Sequence, residues 1–432
     1  MIVVLHYFKV ANWGCFRDEV VLDMQATNER GHKETLTHYR KNNWLPLALI
    51  FGANGSGKTT LVRAFDALKT LVAYPEKRVR HTPHEYADTS GAASLFEVEF
   101  STPVGGVMKT FRYHLEWDGS VIVAEQLDLI LSDGKERPQF VRSPQLGVVI
   151  HVHATDKIVL AHSTVVADGK ALLGELGGDK RAPEVFRAAY TWFAQSLQII
   201  TPETWYVPLL EHIDTDELLR EAMSAQLATA DTGIEELYLE EVSPERLPFS
   251  EIDLIEVEDK VRDGERILAM SDRDRYLFTW EGGCLVGKRL CAQHDGGVTF
   301  SIADESDGTR RFLELLPMLF DLSARDESRV YVVDEVEHSM HPSLTKAIIR
   351  AYLEERPQDS RSQLIATTHE TELLDERLVR RDELWFTEKK DARGRESELV
   401  SFSEFAPRDL RKGKSLRKVY LDGRLGGVPC VG

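Results

Sequence analysis

Cysteine is scarce and poorly placed for structural chemistry. The four present (Cys15, Cys284, Cys291, Cys430) form no C-x-x-C pair and have no histidine nearby at zinc-finger spacing. That removes the case for a disulfide framework or a zinc ribbon and leaves reduced thiols as the expectation. Long apolar runs are missing as well. The longest, such as LPLALIF at 45–51, fall far short of the ~20 residues a helix needs to cross a bilayer. No apolar signal segment follows Met1, so a cytoplasmic protein is expected. There is no internal repeat and no low-complexity tract. The helical stretch 183–230 lacks the sustained heptads of a coiled-coil arm. An excess of basic residues is also absent: the formal net charge is −18, so any nucleic-acid contact would have to be a local patch. At 432 residues, two or three lobes with a substantial core are affordable.

What is present has a clear order. MIVVLHYFKVANWGCFRDEVVLDM reads as two strands around a turn at Asn12–Gly14, and the charged stretch 28–44 as a loop. LPLALIFG reads as a buried strand, followed by a helix with Leu61, Ala64, Phe65 and Leu68 on one face. Alternating strands are expected over 94–132, and helices over most of 183–230. The segment around 235–265 is strongly acidic, which fits either a solvated face or a docking site for a basic partner. Strands resume at 276–302. A helix at 309–323, a strand at 329–333, a helix at 343–355 and a strand at 363–367 complete the pattern. Three domains are expected: an N-terminal lobe over 1–150, a mainly helical insertion over 151–275, and a C-terminal lobe over 276–432.

GANGSGKT, Gly52 to Thr59, fits the phosphate-loop pattern G-x-x-x-x-G-K-[ST] and lies between an apolar strand and a helix. Its glycines let the backbone curl until the N–H groups point at a phosphate, and the new helix's positive end adds to that field. Lys58 is placed to neutralise phosphate oxygens and Thr59 to hold Mg2+. The cofactor-binding residues expected here are Asn54, Gly55, Ser56, Gly57, Lys58, Thr59 and Thr60, with ATP as the nucleotide. In SRVYVVDEVEHSMHP an apolar strand ends in two carboxylates. Asp334 suits Mg2+ coordination, and Glu335 is placed to orient and deprotonate an attacking water. SQLIATTHETELLD is a further buried strand, which ends at His369, a candidate to sense a γ-phosphate.

Ser306-Asp307-Gly308-Thr309 has two readings. As a helix cap, Ser306 or Asp307 would stabilise the following helix by about 1 kcal/mol with no ligand involved. Yet the loop holds a glycine that a cap does not require, and Arg310-Arg311 lie in a first turn where the helix dipole disfavours cations.

The order of phosphate loop, long insertion, SDGT loop, acidic strand end and histidine resembles that of ABC-type ATPase heads. In those proteins an S-G-G-Q-like signature binds the γ-phosphate of ATP held by the opposite subunit. The fold this implies is α/β, an ABC-type P-loop ATPase head with an antiparallel β subdomain and a mainly helical insertion. ESDGTRR, VVDEVEHSMHP, ATTHETELLD, RRDELWFTEK and YLDGRLGGVP narrow the resemblance to the bacterial RloA/AbiLi-type ATPases. That group includes the ATPase subunits of anti-phage systems such as PARIS and is related to SMC and Rad50 heads. The resemblance implies catalytic roles for Glu335 and His369, nucleotide contacts from Ser306, Asp307 and Gly308, metal contacts from Thr59 and Asp334, and a D-loop at His338 to Pro342. It also implies a homo-oligomer built on head-to-head dimers, a separately encoded nuclease or toxin effector from the same operon, and a phage-derived trigger. Asp307 departs from the pattern, standing where the first signature glycine belongs. Gln126 is a candidate Q-loop residue.

No acidic cluster resembles a TOPRIM site, so the chain is expected to lack a nuclease of its own. The alternative function is a DNA-repair or DNA-end-binding ATPase of the Rad50 or RecF kind, with DNA as partner. A transporter subunit stands third. Two further signals point to no single use. His151 and His153 in IHVHATD would share one face of a strand, as two metal ligands must, but no further ligands accompany them. The basic run PRDLRKGKSLRK at 407–418 could contact phosphates, but reads first as a solvated tail.

Overall fold

The computed structural model describes residues 3–84, 92–202, 209–230, 232–271, 274–323, 328–357, 360–390, 396–404 and 416–422. The chain is a mixed α/β protein that divides into two compact units. One comprises Met1–Thr201, Asp321–Glu337 and Lys346–Gly432; the other comprises Pro202–Phe320 and His338–Thr345.

The first unit holds two large sheets. In the central six-stranded sheet the order is Leu197–Ile200, Val330–Val333, Gln363–Thr367, Leu47–Gly52, Leu384–Lys389 and Ser397–Ser401. All neighbours in it are parallel except the last pair, which is antiparallel. Parallel strands are buried on both faces, and Leu47–Gly52, Val330–Val333 and Gln363–Thr367 are buried at every position. The second sheet is antiparallel and seven-stranded. Its order is Gly147–Ile150, Glu136–Ser143, Ile122–Ile130, Val107–Trp117, Ser94–Val104, Val4–Ala11 and Val20–Asp23. Helix Lys58–Ala73 packs its apolar stripe into the shared core, where Phe65 stacks on Phe8 with ring centroids 3.7 Å apart.

Buried polar groups tie these layers together. Gln363 accepts from the Leu5 backbone N–H at 2.6 Å and donates to the carbonyl oxygens of Leu5 and Leu45, each at 3.1 Å. Lys69 donates to the Leu197 carbonyl at 2.6 Å, which fixes the C-terminal half of helix Lys58–Ala73 to the edge of the central sheet. Buried Glu125 accepts from Tyr113 and from the first two N–H groups of helix Leu172–Gly178.

The second unit contains a five-stranded sheet in the order Ile234–Val242, Cys284–His294, Asp274–Glu281 and Ile267–Ser271, with Val298–Ser301 paired to Cys284–His294. Helix Glu251–Arg262 covers it over a small core of Leu247, Val261, Tyr276 and Phe278. Helix Asp307–Ser323 begins in this unit.

Several segments differ from the sequence reading. The stretch 151–275 is divided between the units. Within it, Leu197–Ile200, Ile234–Val242 and Ile267–Ser271 are strands. The acidic segment is accordingly an edge strand followed by an amphipathic helix. Residues 37–44, expected as loop, form a small hairpin. His151 and His153 lie beyond the end of strand Gly147–Ile150, and His153 has a φ of 59°, so they do not share a strand face. Most of the 407–418 run and the Gly423–Pro429 part of YLDGRLGGVP lie outside the described residues. No helix among the described residues is long and apolar enough to cross a membrane.

Replacing Gln363 with leucine keeps the volume but leaves one N–H and two carbonyls buried without partners. We expect a loss of about 3–6 kcal/mol in urea unfolding, at one to two kcal/mol for each stranded group.

Candidate nucleotide site

Leu47–Gly52 ends at the phosphate loop, and helix Lys58–Ala73 begins immediately after it. The turn depends on glycine at two points. Gly55 has a φ of 72° and Gly57 a φ of 121°, conformations that L side chains rarely adopt. A Cβ on Gly57 would also lie 2.8 Å from Cys15 Sγ and 2.9 Å from Phe16 Cζ. The N-terminal hairpin turn is thus packed directly against the loop, and Trp13 Nε1 donates to the Thr60 carbonyl.

Lys58 is buried. Its Nζ donates to the carbonyls of Gly52 at 2.7 Å and Ala53 at 3.2 Å, which folds the cation over the loop. Burial lowers its pKa to about 8, opposed by the negative charges of Glu337, Asp334 and Glu335. Ser56 is turned inward, its Oγ 2.6 Å from Thr387 Oγ1 on the neighbouring strand. Asn54 and Gly55 are exposed at the tip, and Thr59 and Thr60 are half-buried.

Asp334 and Glu335 follow Val330–Val333, next but one to the phosphate-loop strand. Thr367 organises both. Its hydroxyl donates to Asp334 Oδ1 at 2.5 Å and accepts from the Glu335 N–H at 2.8 Å. The Thr367 carbonyl accepts from Val336 N–H, and the Asp334 N–H is held by the Ile200 carbonyl. Glu335 adopts a left-handed φ of 47°. Such a conformation is costly for a non-glycine residue and persists only where neighbours hold it. His369 lies at the end of the strand between these two. It is solvent-accessible, yet partial loss of hydration and the Lys58 charge lower its pKa.

The structure therefore brings Lys58, Thr59, Asp334, Glu335 and His369 to the C-terminal edge of one parallel sheet, where such sheets bind ligands. The donor set fits a nucleotide phosphate: a cation at the loop, and the first N–H groups of a helix, which have no carbonyl upstream. Thr59 and Asp334 are the oxygen donors that would hold Mg2+ with it.

Ser306, Asp307 and Gly308 lie in the second unit. Ser306 is the helix cap: its Oγ accepts from the Thr309 N–H at 3.1 Å. Asp307 turns back to pair with Arg310, which also donates to the Ala303 carbonyl. That accounts for a cation in the first turn. Gly308 has a different cause: a Cβ there would lie 2.6 Å from the Ser339 carbonyl, so the helix start and the His338–Met340 turn meet through glycine. Between them is a cavity of about 220 Å³ that Arg311 and His338 help to line.

Two residues of the site went unassigned in the sequence reading. Thr367 is one. The other is Glu337, which accepts from the His369 N–H and joins the two loops. Its signal was a third carboxylate two positions after Glu335. Gln126 lies in strand Ile122–Ile130 and donates to Asp128.

Residues 235–375 match a family model described as "AAA domain, putative AbiEii toxin, Type IV TA system". That span includes the SDGT loop, Asp334, Glu335 and His369, but not the phosphate loop. No curated protein matches the chain. Among solved structures, the chain is similar to an SMC head bound to the C-winged helix domain of ScpA, at 14% identity and a TM-score of 0.43. It is also similar to the SMC head domain from Thermotoga maritima, at 11% identity and a TM-score of 0.38. Each similarity covers 92% of this chain and 98% of the other.

The Lys58 pKa has a measurable consequence. Below about 8 the ammonium is charged and attracts phosphate; above that pH the charge is lost. Affinity for a fluorescent ATP analogue should be flat at lower pH and fall as pH rises past that point. A Lys58→Met protein should bind weakly and show no such break.

Proposed function

We propose that the chain is an ATP hydrolase whose copies pair head to head, each pocket combining one copy's phosphate loop with the other copy's SDGT loop. The observation that carries this reading is the convergence of Lys58, Asp334, Glu335 and His369 on one edge of one sheet, with Thr367 bridging the two acidic positions. Lys58 and the loop N–H groups bind phosphate. Thr59 and Asp334 would hold Mg2+, which would supply charge neutralisation at the phosphate oxygens. Glu335 orients and deprotonates the attacking water, and its constrained backbone keeps the carboxylate aimed. His369 senses the γ-phosphate. Ser306 and Gly308 serve the partner's nucleotide, with Asp307 drawn aside by Arg310 so that its charge does not oppose phosphate.

Pairing that depends on a γ-phosphate is a switch, because the contacts exist in only one state. We assign that switch to anti-phage defence, as a sensor that answers a phage-derived trigger and controls a separately encoded effector. Two things support this: the resemblance over 300–432, and the match of 235–375 to a family described in toxin–antitoxin terms.

The composite pocket is tested by mixing. Lys58→Ala and Ser306→Arg should each lower turnover about 100-fold or more on their own. A one-to-one mixture should recover about a quarter of wild-type turnover, since half the dimers are mixed and each of those keeps one intact pocket. Absence of recovery would contradict shared pockets.

A further inference from the structure

Strand Gly147–Ile150 is the end strand of the antiparallel sheet, and among the described residues it pairs only with Glu136–Ser143. Alternate residues of such a strand turn their N–H and C=O groups outward, so its free side is a row of unpaired donors and acceptors. Sheet edges are normally guarded by charge. Here strand Ile234–Val242 carries Glu235, Glu236 and Glu240 on its edge, and Val20–Asp23 follows Asp18 and Glu19. The Gly147–Ile150 edge has no such guard. Residues 143–155 contain no Asp, Glu, Lys or Arg, although 29% of the chain is charged. Apolar groups surround it instead. Leu146 in the preceding turn is 65% exposed, and helix Lys157–Val165, which lies against the strand, presents Leu160 at 46% and Val165 at 75%. Val148, Val149 and Ile150 are half-buried, with Val148 and Ile150 packed against the core.

We infer that this edge is a self-association surface, at which the Gly147–Ile150 strands of two copies of this chain pair antiparallel about a two-fold axis. Charge selects the occupant. Two chains of net charge −18 repel one another almost everywhere, and a strip without charge is where they meet at least electrostatic cost. A basic partner would find better attraction on the acidic strand and helix of the second unit. A two-fold axis beside Val149 opposes Val149 to Val149 of the other copy and Val148 to its Ile150, placing β-branched side chains across from one another, which is a favourable cross-strand pairing. The contact is separate from nucleotide-dependent pairing and needs no ligand.

The test is sedimentation of the full chain over a range of concentrations without nucleotide. Wild type and Lys58→Ala should both self-associate. Leu146→Glu, at an exposed position, and Val149→Lys, which installs the missing edge charge, should each weaken association by at least about tenfold with unchanged melting temperature. A wild-type chain that stays monomeric at every concentration, or a dimer indifferent to both substitutions, would overturn the inference. Because nucleotide is absent and Lys58→Ala is included, neither result bears on the composite ATP pocket.

Discussion

The parallel register of three strands governs everything at the nucleotide site. Thr367 pairs with Ile50 and Ala366 with Val333, and this alignment sets the Thr367 hydroxyl between the Asp334 carboxylate and the Glu335 N–H. Successive side chains of a strand point to opposite faces, so a slip of one residue would turn that hydroxyl away and release both acidic positions. The buried amide of Gln363, four residues earlier on the same strand, resists such a slip by binding Leu5 and Leu45. The strand that fixes the acidic pair thus also fixes the sheet to its neighbour.

Around that register the site is held by backbone contacts more than by side-chain charge. The phosphate loop is pressed against Cys15 and Phe16 through Gly57, and its helix reaches back to the sheet edge through Lys69 and the Leu197 carbonyl. The edge strand then holds the Asp334 N–H through Ile200. A contiguous path therefore runs from the loop, along its helix, to the strand beside the acidic residues. Lys58 sits where burial works against its charge and three carboxylates work for it. In the second unit the same economy applies: Gly308 permits contact with Ser339, and Asp307 is occupied by Arg310.

Much of this is legible in the sequence alone. The phosphate loop and the acidic strand end each follow a short, wholly apolar strand, the histidine follows a short buried strand with an apolar centre, and that pattern is visible in the chain itself. What escaped was non-local. Leu197–Ile200 follows helical residues without a break signal and becomes a strand only by pairing with Val330–Val333, more than a hundred positions away. Residues 136–150 carry Arg137, Pro138 and Gly147, which mask two strands that the antiparallel sheet supplies with partners. The SDGT loop was the most ambiguous stretch. Ser306 is indeed a cap, and Gly308 answers to a close backbone approach, so both features have causes within the second unit. Their further use by a partner's nucleotide is a matter of assembly, which one chain does not display in its sequence.

The most direct measurement of the central claim compares ATP turnover and ATP retention in wild type and Glu335→Gln. Wild type should release phosphate in the presence of Mg2+. The variant should keep ATP bound on a filter while turning it over at least about 100-fold more slowly. Undiminished turnover in the variant, or no ATP binding by either protein, would contradict it.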